Sequence, residues 1–192
     1  MQTETKKVLI IDMDEVMYED WAPRAYCEYV GIDFAKYKRK TGYIQELFPD
    51  KEELDKFVNF FLSIPNYYDN VPLKPGARKV IEKLNKKYMV YICTDYLFKN
   101  YEWESDKVLL NKTKALARDF PFISPAQYIF MRGKQLLHAD YLIDDRAWNF
   151  GPHIKTPLLF TGHFNKNLTA NELSEKVIKR VNSWKEIGEL LL

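Results

Sequence analysis

The run Val8-Leu9-Ile10-Ile11 is uninterruptedly apolar and stops at Asp12-Met13-Asp14-Glu15. A short run with no polar alternation has no solvent face, so it reads as a strand buried on both sides, as in a parallel sheet. The pattern recurs. Val90-Tyr91-Ile92-Cys93 ends at Thr94-Asp95, Tyr141-Leu142-Ile143 ends at Asp144-Asp145, and Leu158-Leu159-Phe160 ends at Thr161-Gly162. Tyr128-Ile129-Phe130-Met131 is a further strand. Helical spacing separates these runs: Ala77, Val80, Ile81 and Leu84 share one face, a second helix is expected within 105–119, and Trp184, Ile187 and Leu191 follow a cap at Asn182 or Ser183. Alternating strands and helices predict an α/β fold, a Rossmann-like three-layer core around a central parallel sheet. In such sheets ligands bind beyond the carboxyl ends of the strands. Asp12, Asp14, Thr94, Asp144 and Asp145 are all expected there.

Residues 18–70 have a different character, rich in aromatic and charged side chains. Leu54, Phe57, Val58, Phe61 and Leu62 trace one helix face, with Asp50 as its N-cap and Glu53 three residues on. Tyr26, Tyr29 and Val30 suggest an earlier helix ending near Gly31. Pro72 and Pro75-Gly76 mark the return of the chain. The expected organisation is a core of 1–17 and 71–192 carrying a helical insertion at 18–70.

Composition excludes several function classes. Among 192 residues, 29 Lys and Arg oppose 27 Asp and Glu, a formal charge of +2 that is too mild for a nucleic-acid polymer as partner. The basic run Lys36-Tyr37-Lys38-Arg39-Lys40 reads as a solvated helix face. Cys27 and Cys93 offer neither a disulfide framework nor zinc spacing. No apolar stretch reaches the roughly 18 residues of a membrane helix, so a cytoplasmic protein without membrane contact is expected. Neither a P-loop nor a dinucleotide-binding glycine pattern occurs. Oligomeric state is left open.

Clustered carboxylates repel one another unless a cation joins them. Hard oxygen donors suit Mg²⁺, and a phosphate ester would complete its shell. The ordered set of Asp-x-Asp after the first strand, Thr94 after the second, Lys134, and Asp144-Asp145 after a later strand resembles the haloacid dehalogenase-like phosphatase superfamily. Asp12-Met13-Asp14-Glu15-Val16, Ile92-Cys93-Thr94, Ala139-Asp140-Tyr141-Leu142-Ile143-Asp144-Asp145-Arg146 and Pro72-Leu73-Lys74-Pro75-Gly76-Ala77 are similar to the bacterial 5′(3′)-deoxyribonucleotidases.

That resemblance implies a Mg²⁺-dependent phosphomonoester hydrolase acting on (deoxy)nucleoside monophosphates. It implies Asp12 as the nucleophile that becomes an aspartyl-phosphate, and Asp14 as general acid and then base. Mg²⁺ would be held by the Asp12 carboxylate, the Asp14 backbone carbonyl and Asp145, with Asp144 orienting the shell. Thr94, the Asp95 N–H and Lys134 would meet the phosphate. Lys112 matches a second phosphate-side lysine by its distance from Lys134, with Lys107 and Lys114 as neighbouring alternatives. The 18–70 segment would be a cap, with Tyr67 and Tyr68 as base-side candidates. Asp20 departs from the aromatic that some relatives carry there. Two alternatives stand beside this reading: a phosphatase for another small phosphate ester, and a non-catalytic module on the same fold.

Overall fold

The computed structural model describes residues 5–38, 44–97, 101, 104–163, 165–168 and 179–192. Six strands form one sheet: β1 (Val8–Ile11), β2 (Met89–Thr94), β3 (Tyr128–Phe130), β4 (Ala139–Asp144), β5 (Ile154–Phe160) and β6 (Lys179–Val181). They lie in the order β3-β2-β1-β4-β5-β6, and every pairing is parallel. The order reverses at β1. The chain leaves β1 toward β2 and β3, then returns to place β4 on its other side. At such a reversal the connections diverge and open a crevice at the carboxyl ends. β1 ends at Ile11 and β4 at Asp144, so both principal acidic pairs face that crevice.

Burial on both faces is met as expected. Leu9 and Ile11 join the larger core cluster with Ile81, Leu84, Leu116 and Trp184. Ile10 turns the other way to pack with Cys93, Leu142 and Leu159. The insertion described below contributes α1 (Ala22–Val30) and α2 (Lys51–Ser63), and the larger cluster is roofed by α3 (Ala77–Lys87), α4 (Asp106–Asp119) and α5 (Trp184–Leu191). On the second face, Leu137, Ala147, Phe150 and Ile154 cover the strands. The links from β3 to β4 and from β4 to β5 carry 3-10 turns, Lys134–Leu136 and Ala147–Asn149, where the links from β1 to β2 and from β2 to β3 carry α-helices. Those turns are short enough to keep Lys134 and the Asp144-Asp145 pair close to the strand ends.

Among the described residues the segment 18–70, expected as an insertion, carries α1, α2 and 3-10 turns at Phe34–Lys36, Ile44–Leu47 and Tyr67–Asn70. Asp50 caps α2, accepting from Glu53 N at 2.9 Å. Gly31 ends α1 with φ 71°, a left-handed conformation that costs glycine nothing. The outgoing and returning segments of the insertion are stitched together: Glu19 N donates to Pro72 O at 2.8 Å, and Lys74 N to Met17 O at 2.9 Å. Within it, Trp21 stacks on Phe61 with centroids 4.8 Å apart, and Tyr29 and Phe48 both pack on Phe57. Lys36 and Lys38 are exposed, which fits a solvated run, but only Lys36 lies in a 3-10 turn and Tyr37 is already extended. Arg39 and Lys40 fall outside the described residues.

Trp184 ties the last helix to the first strand–loop junction. Its ring is fully buried, and its indole N–H donates to Val16 O at 2.7 Å. Replacing it by Phe keeps much of the apolar area and strands the carbonyl. Trp184→Phe should cost about 1–3 kcal/mol in urea unfolding, and Trp184→Ala about 3–5 kcal/mol. Equal midpoints for Trp184→Phe and the parent would show that the bond contributes nothing.

Candidate active site

The loop after β1 is built to turn back at once. Asp12 N continues the sheet ladder by donating to Ile143 O at 2.9 Å. Met17 N and Tyr18 N then both donate to Met13 O, at 2.8 and 3.1 Å. Glu15, inside this turn, has φ 58° although it is not glycine. A left-handed conformation costs a residue with a Cβ about 1–2 kcal/mol. The fold offsets it by using the side chain: Glu15 is buried, and its carboxylate accepts the backbone N–H of His163 from the loop after β5.

Lys134 stands at the centre of the site. Its ammonium donates to Asp12 Oδ1 at 2.5 Å and to Asp144 Oδ2 at 2.8 Å, and all three groups are buried. The other oxygen of Asp144 accepts Arg146 N and Asn149 Nδ2, both at 2.9 Å. Both Asp144 oxygens are therefore engaged within the protein. Asp145 is placed through its backbone: its carbonyl accepts Asn165 Nδ2 at 2.6 Å, and Asn165 is held in turn by Arg180 Nη1 at 2.7 Å.

A second cluster lies alongside. Lys112, from the buried side of α4, donates to Asp14 Oδ2 and to Thr94 Oγ1, each at 2.6 Å, and to the Asp95 carbonyl. Of the three candidate lysines on α4, Lys112 is the one at this site; Lys107 instead donates to the Leu62 carbonyl of the insertion. Asp14 Oδ1 accepts Tyr68 OH at 2.6 Å. The Asp95 side chain turns away, bonding Leu97 N at 2.9 Å and Arg132 Nε at 2.8 Å. Tyr67 is buried too, its ring against Trp21 and Phe61 and its hydroxyl on the Trp21 carbonyl. The Asp20 carboxylate accepts Ala22 N at 3.0 Å where α1 begins.

The donor set fits a hard divalent cation. Asp12, Asp144 and Asp145 are buried, and each offers an oxygen within 4.8 Å of the others. One ammonium bonded to two of three buried carboxylates leaves the cluster short of positive charge. Burial pushes the Asp12 carboxyl up to about 6, against the pull of Lys134, with Asp144 and Asp14 pushing the same way. Asp145 is raised well above the usual range by burial and by the repulsion of Asp144 and Asp12. Lys134 shifts upward: burial disfavours its charge, but Asp12 and Asp144 outweigh that.

Asn149, Asn165 and Arg180 also support the site, as do Glu15 and Gly162, which stand within the runs noted at the ends of β1 and β5. They act on the principal residues largely through backbone contacts and bracing bonds, which leave little mark on spacing. Gly162 has a visible signal, as a glycine at the end of an apolar run. A Cβ there would meet Glu15 Oε2 at 2.5 Å and Asp145 Cβ at 3.2 Å. Gly162→Ala should weaken divalent-cation binding roughly 10-fold or more, as losses in the support of a ligand do; titration calorimetry checks this.

The sign of the pH dependence follows from the raised carboxyls. Between the ordinary carboxylate value of 3.8 and about 6, the folded protein holds a proton at Asp12 that the unfolded chain releases. Without metal, stability contributed at this site is present at low pH and falls as pH rises through that window. A divalent ion binds the deprotonated form. The gain in Tm from a divalent cation should therefore be small near pH about 5 and reach several degrees above pH about 7. A gain independent of pH would contradict this.

The chain is similar to known proteins in sequence and in fold. The model of the family described as 5′ nucleotidase, deoxy (pyrimidine), cytosolic type C protein matches residues 6–192. A 5′(3′)-deoxyribonucleotidase of Bacillus subtilis (strain 168) is 28% identical over 201 residues, covering 97% of this chain and 99% of that protein. A 5′(3′)-deoxyribonucleotidase of Clostridium acetobutylicum is 30% identical over 140 residues, covering 73% of this chain and 69% of that protein. In fold, the chain is similar to a conserved haloacid dehalogenase-like protein of Agrobacterium tumefaciens strain C58, with TM-score 0.57, 12% identity and coverage of 96% and 97%. A haloacid dehalogenase-like family hydrolase of Streptococcus pneumoniae gives TM-score 0.50, 13% identity and coverage of 97% and 99%. This chain belongs to the family of the 5′ nucleotidase, deoxy (pyrimidine), cytosolic type C proteins on a haloacid dehalogenase-like fold.

Proposed function

We propose that the protein is a Mg²⁺-dependent phosphoric monoester hydrolase acting on (deoxy)nucleoside monophosphates through an aspartyl-phosphate on Asp12. The observation that carries this reading is the position of Lys134, within hydrogen-bonding reach of Asp12 and Asp144 at the point where the strand order reverses. Membership of the family and the activity printed for the Bacillus and Clostridium relatives support the substrate class.

Each residue has a part. Asp12 attacks phosphorus, the bond from phosphorus to the leaving oxygen breaks, and Asp14 delivers a proton to that oxygen. Lys134 offsets the charge of Asp12 and the phosphoryl group. Thr94, the Asp95 N–H and Lys112 hold the phosphoryl oxygens, one contact of Lys112 being exchanged for the substrate. Mg²⁺, held by Asp12, Asp145 and the Asp14 carbonyl, would supply charge that draws electrons from phosphorus. Asp144, with both oxygens engaged, keeps Lys134 and the β4 end in place. A water then displaces Asp12 from phosphorus, with Asp14 as base.

The 18–70 segment is proposed as a cap over this edge, and 1–17 with 71–192 as the core. Its outgoing and returning segments are paired with each other, and α4 also meets it, through Lys107 on the Leu62 carbonyl and Arg118 on the Tyr68 carbonyl. The leaving group would lie on the side of Asp14 bordered by Tyr68, with Tyr67 behind it.

Phosphate release from a panel of nucleoside monophosphates and sugar phosphates, with and without Mg²⁺, tests the reading. Nucleotides should be preferred, and chelation should abolish turnover. Asp12→Asn should lower kcat at least roughly 10⁴-fold, since the nucleophile itself is lost. Turnover retained in Asp12→Asn would remove the aspartyl-phosphate from consideration.

A further inference from the structure

Asp14 is gripped from two directions. Lys112 of the core takes Oδ2 at 2.6 Å, and Tyr68 of the insertion takes Oδ1 at 2.6 Å. Two donors, one on each oxygen, fix the plane of the carboxylate as well as its position. The Tyr68 ring is itself immobilised: it is 2% exposed, lies edge-on to Tyr18 at 5.4 Å and to Tyr67 at 6.1 Å, and its backbone carbonyl accepts Arg118 of α4 at 3.2 Å. Its hydroxyl is thus delivered to Asp14 by a rigid support, and Asp14 keeps 27% of its side chain open to water.

We propose that Tyr68 is a positioning residue through which the insertion orients Asp14 for the water-activating half of the reaction. The proposal rests on the assignment of Asp12 and Asp14 above. In that half, the water oxygen bonds to phosphorus, the bond from phosphorus to Asp12 breaks, and its electron pair returns to the Asp12 carboxylate. The water proton passes to Asp14. Asp14 must present an acceptor lone pair to the water during this step. Both observed bonds to Asp14 treat it as an acceptor, so the geometry is preset for taking a proton. Formation of the aspartyl-phosphate asks less of this arrangement, because there Asp14 donates.

Tyr68→Phe removes one oxygen and leaves the packed ring. Rapid-quench kinetics with a nucleoside monophosphate and Mg²⁺ should show the first turnover of nucleoside release within about 3-fold of the parent. Steady-state turnover should fall roughly 10- to 100-fold, the scale of a misaligned reacting group. Acid-trapped phospho-protein should rise to a larger fraction of the enzyme, with KM falling alongside kcat. Tyr88→Phe serves as the structural control. Its buried hydroxyl bonds Leu191 O at 2.9 Å, far from the site, and its loss should leave the trapped fraction at the parental level. Equal slowing of both phases in Tyr68→Phe, or slowing of neither, would overturn the proposal. Absence of any phospho-protein in the parent would instead overturn the underlying reading of Asp12, so the two failures are distinct.

Discussion

The site depends on one ammonium group sealed among carboxylates. Taking a lysine and three aspartates out of water is costly, and a buried pair repays that cost only when geometry is good and the remaining lone pairs are bonded. Lys134 meets the condition on one side, through Asp12 and Asp144. Asp144 meets it on the other, through Arg146 N and Asn149. The cluster still carries more negative than positive charge, and that imbalance is what makes it receptive to a cation. An arrangement optimised for stability alone would have balanced the charges or replaced them with packed apolar side chains. This one holds acids in a state that is relieved only when something positive arrives.

Why the imbalance can be maintained is a matter of topology. The reversal of strand order at β1 places the ends of β1 and β4 side by side, so Asp12 and Asp145 converge without any long loop having to find its way there. The short 3-10 links keep Lys134 and Asn149 near their strands. Asn165 and Arg180 brace the Asp145 carbonyl from the far side, which ties the site to β6 at the sheet edge. A small edge strand thereby influences the position of a central carboxylate.

Much of this is legible in the sequence, because the signals are covalent neighbours of strong ones. Asp12, Thr94 and Asp144 sit at the ends of apolar runs, and a parallel sheet aligns such ends by construction. Asp50 at the start of α2 and Ser183 at the start of α5 follow from cap chemistry. β6 leaves no such signal, since Lys179–Val181 is three residues long with only Val181 buried. The 3-10 links are equally silent, being too short to show a period. The contact of Tyr68 with Asp14 joins residues 54 positions apart. The resemblance singles out Tyr67 and Tyr68 together, but nothing local says which of the two hydroxyls reaches Asp14.

The two acids after β1 end up with different dependences although only one residue separates them. Asp12 is bound to the core alone, by the ladder bond to Ile143 and by Lys134. Asp14 is shared between core and insertion, by Lys112 and Tyr68. The tight turn and the left-handed Glu15 impose this division, because they send the two side chains to different surroundings. In the mechanism proposed above Asp12 must stay in line with phosphorus whatever occupies the rest of the site, and its bonds to the sheet support that. Asp14, the proposed acid–base group, must keep one orientation while the leaving group departs and water enters, and two donors from different segments hold it there.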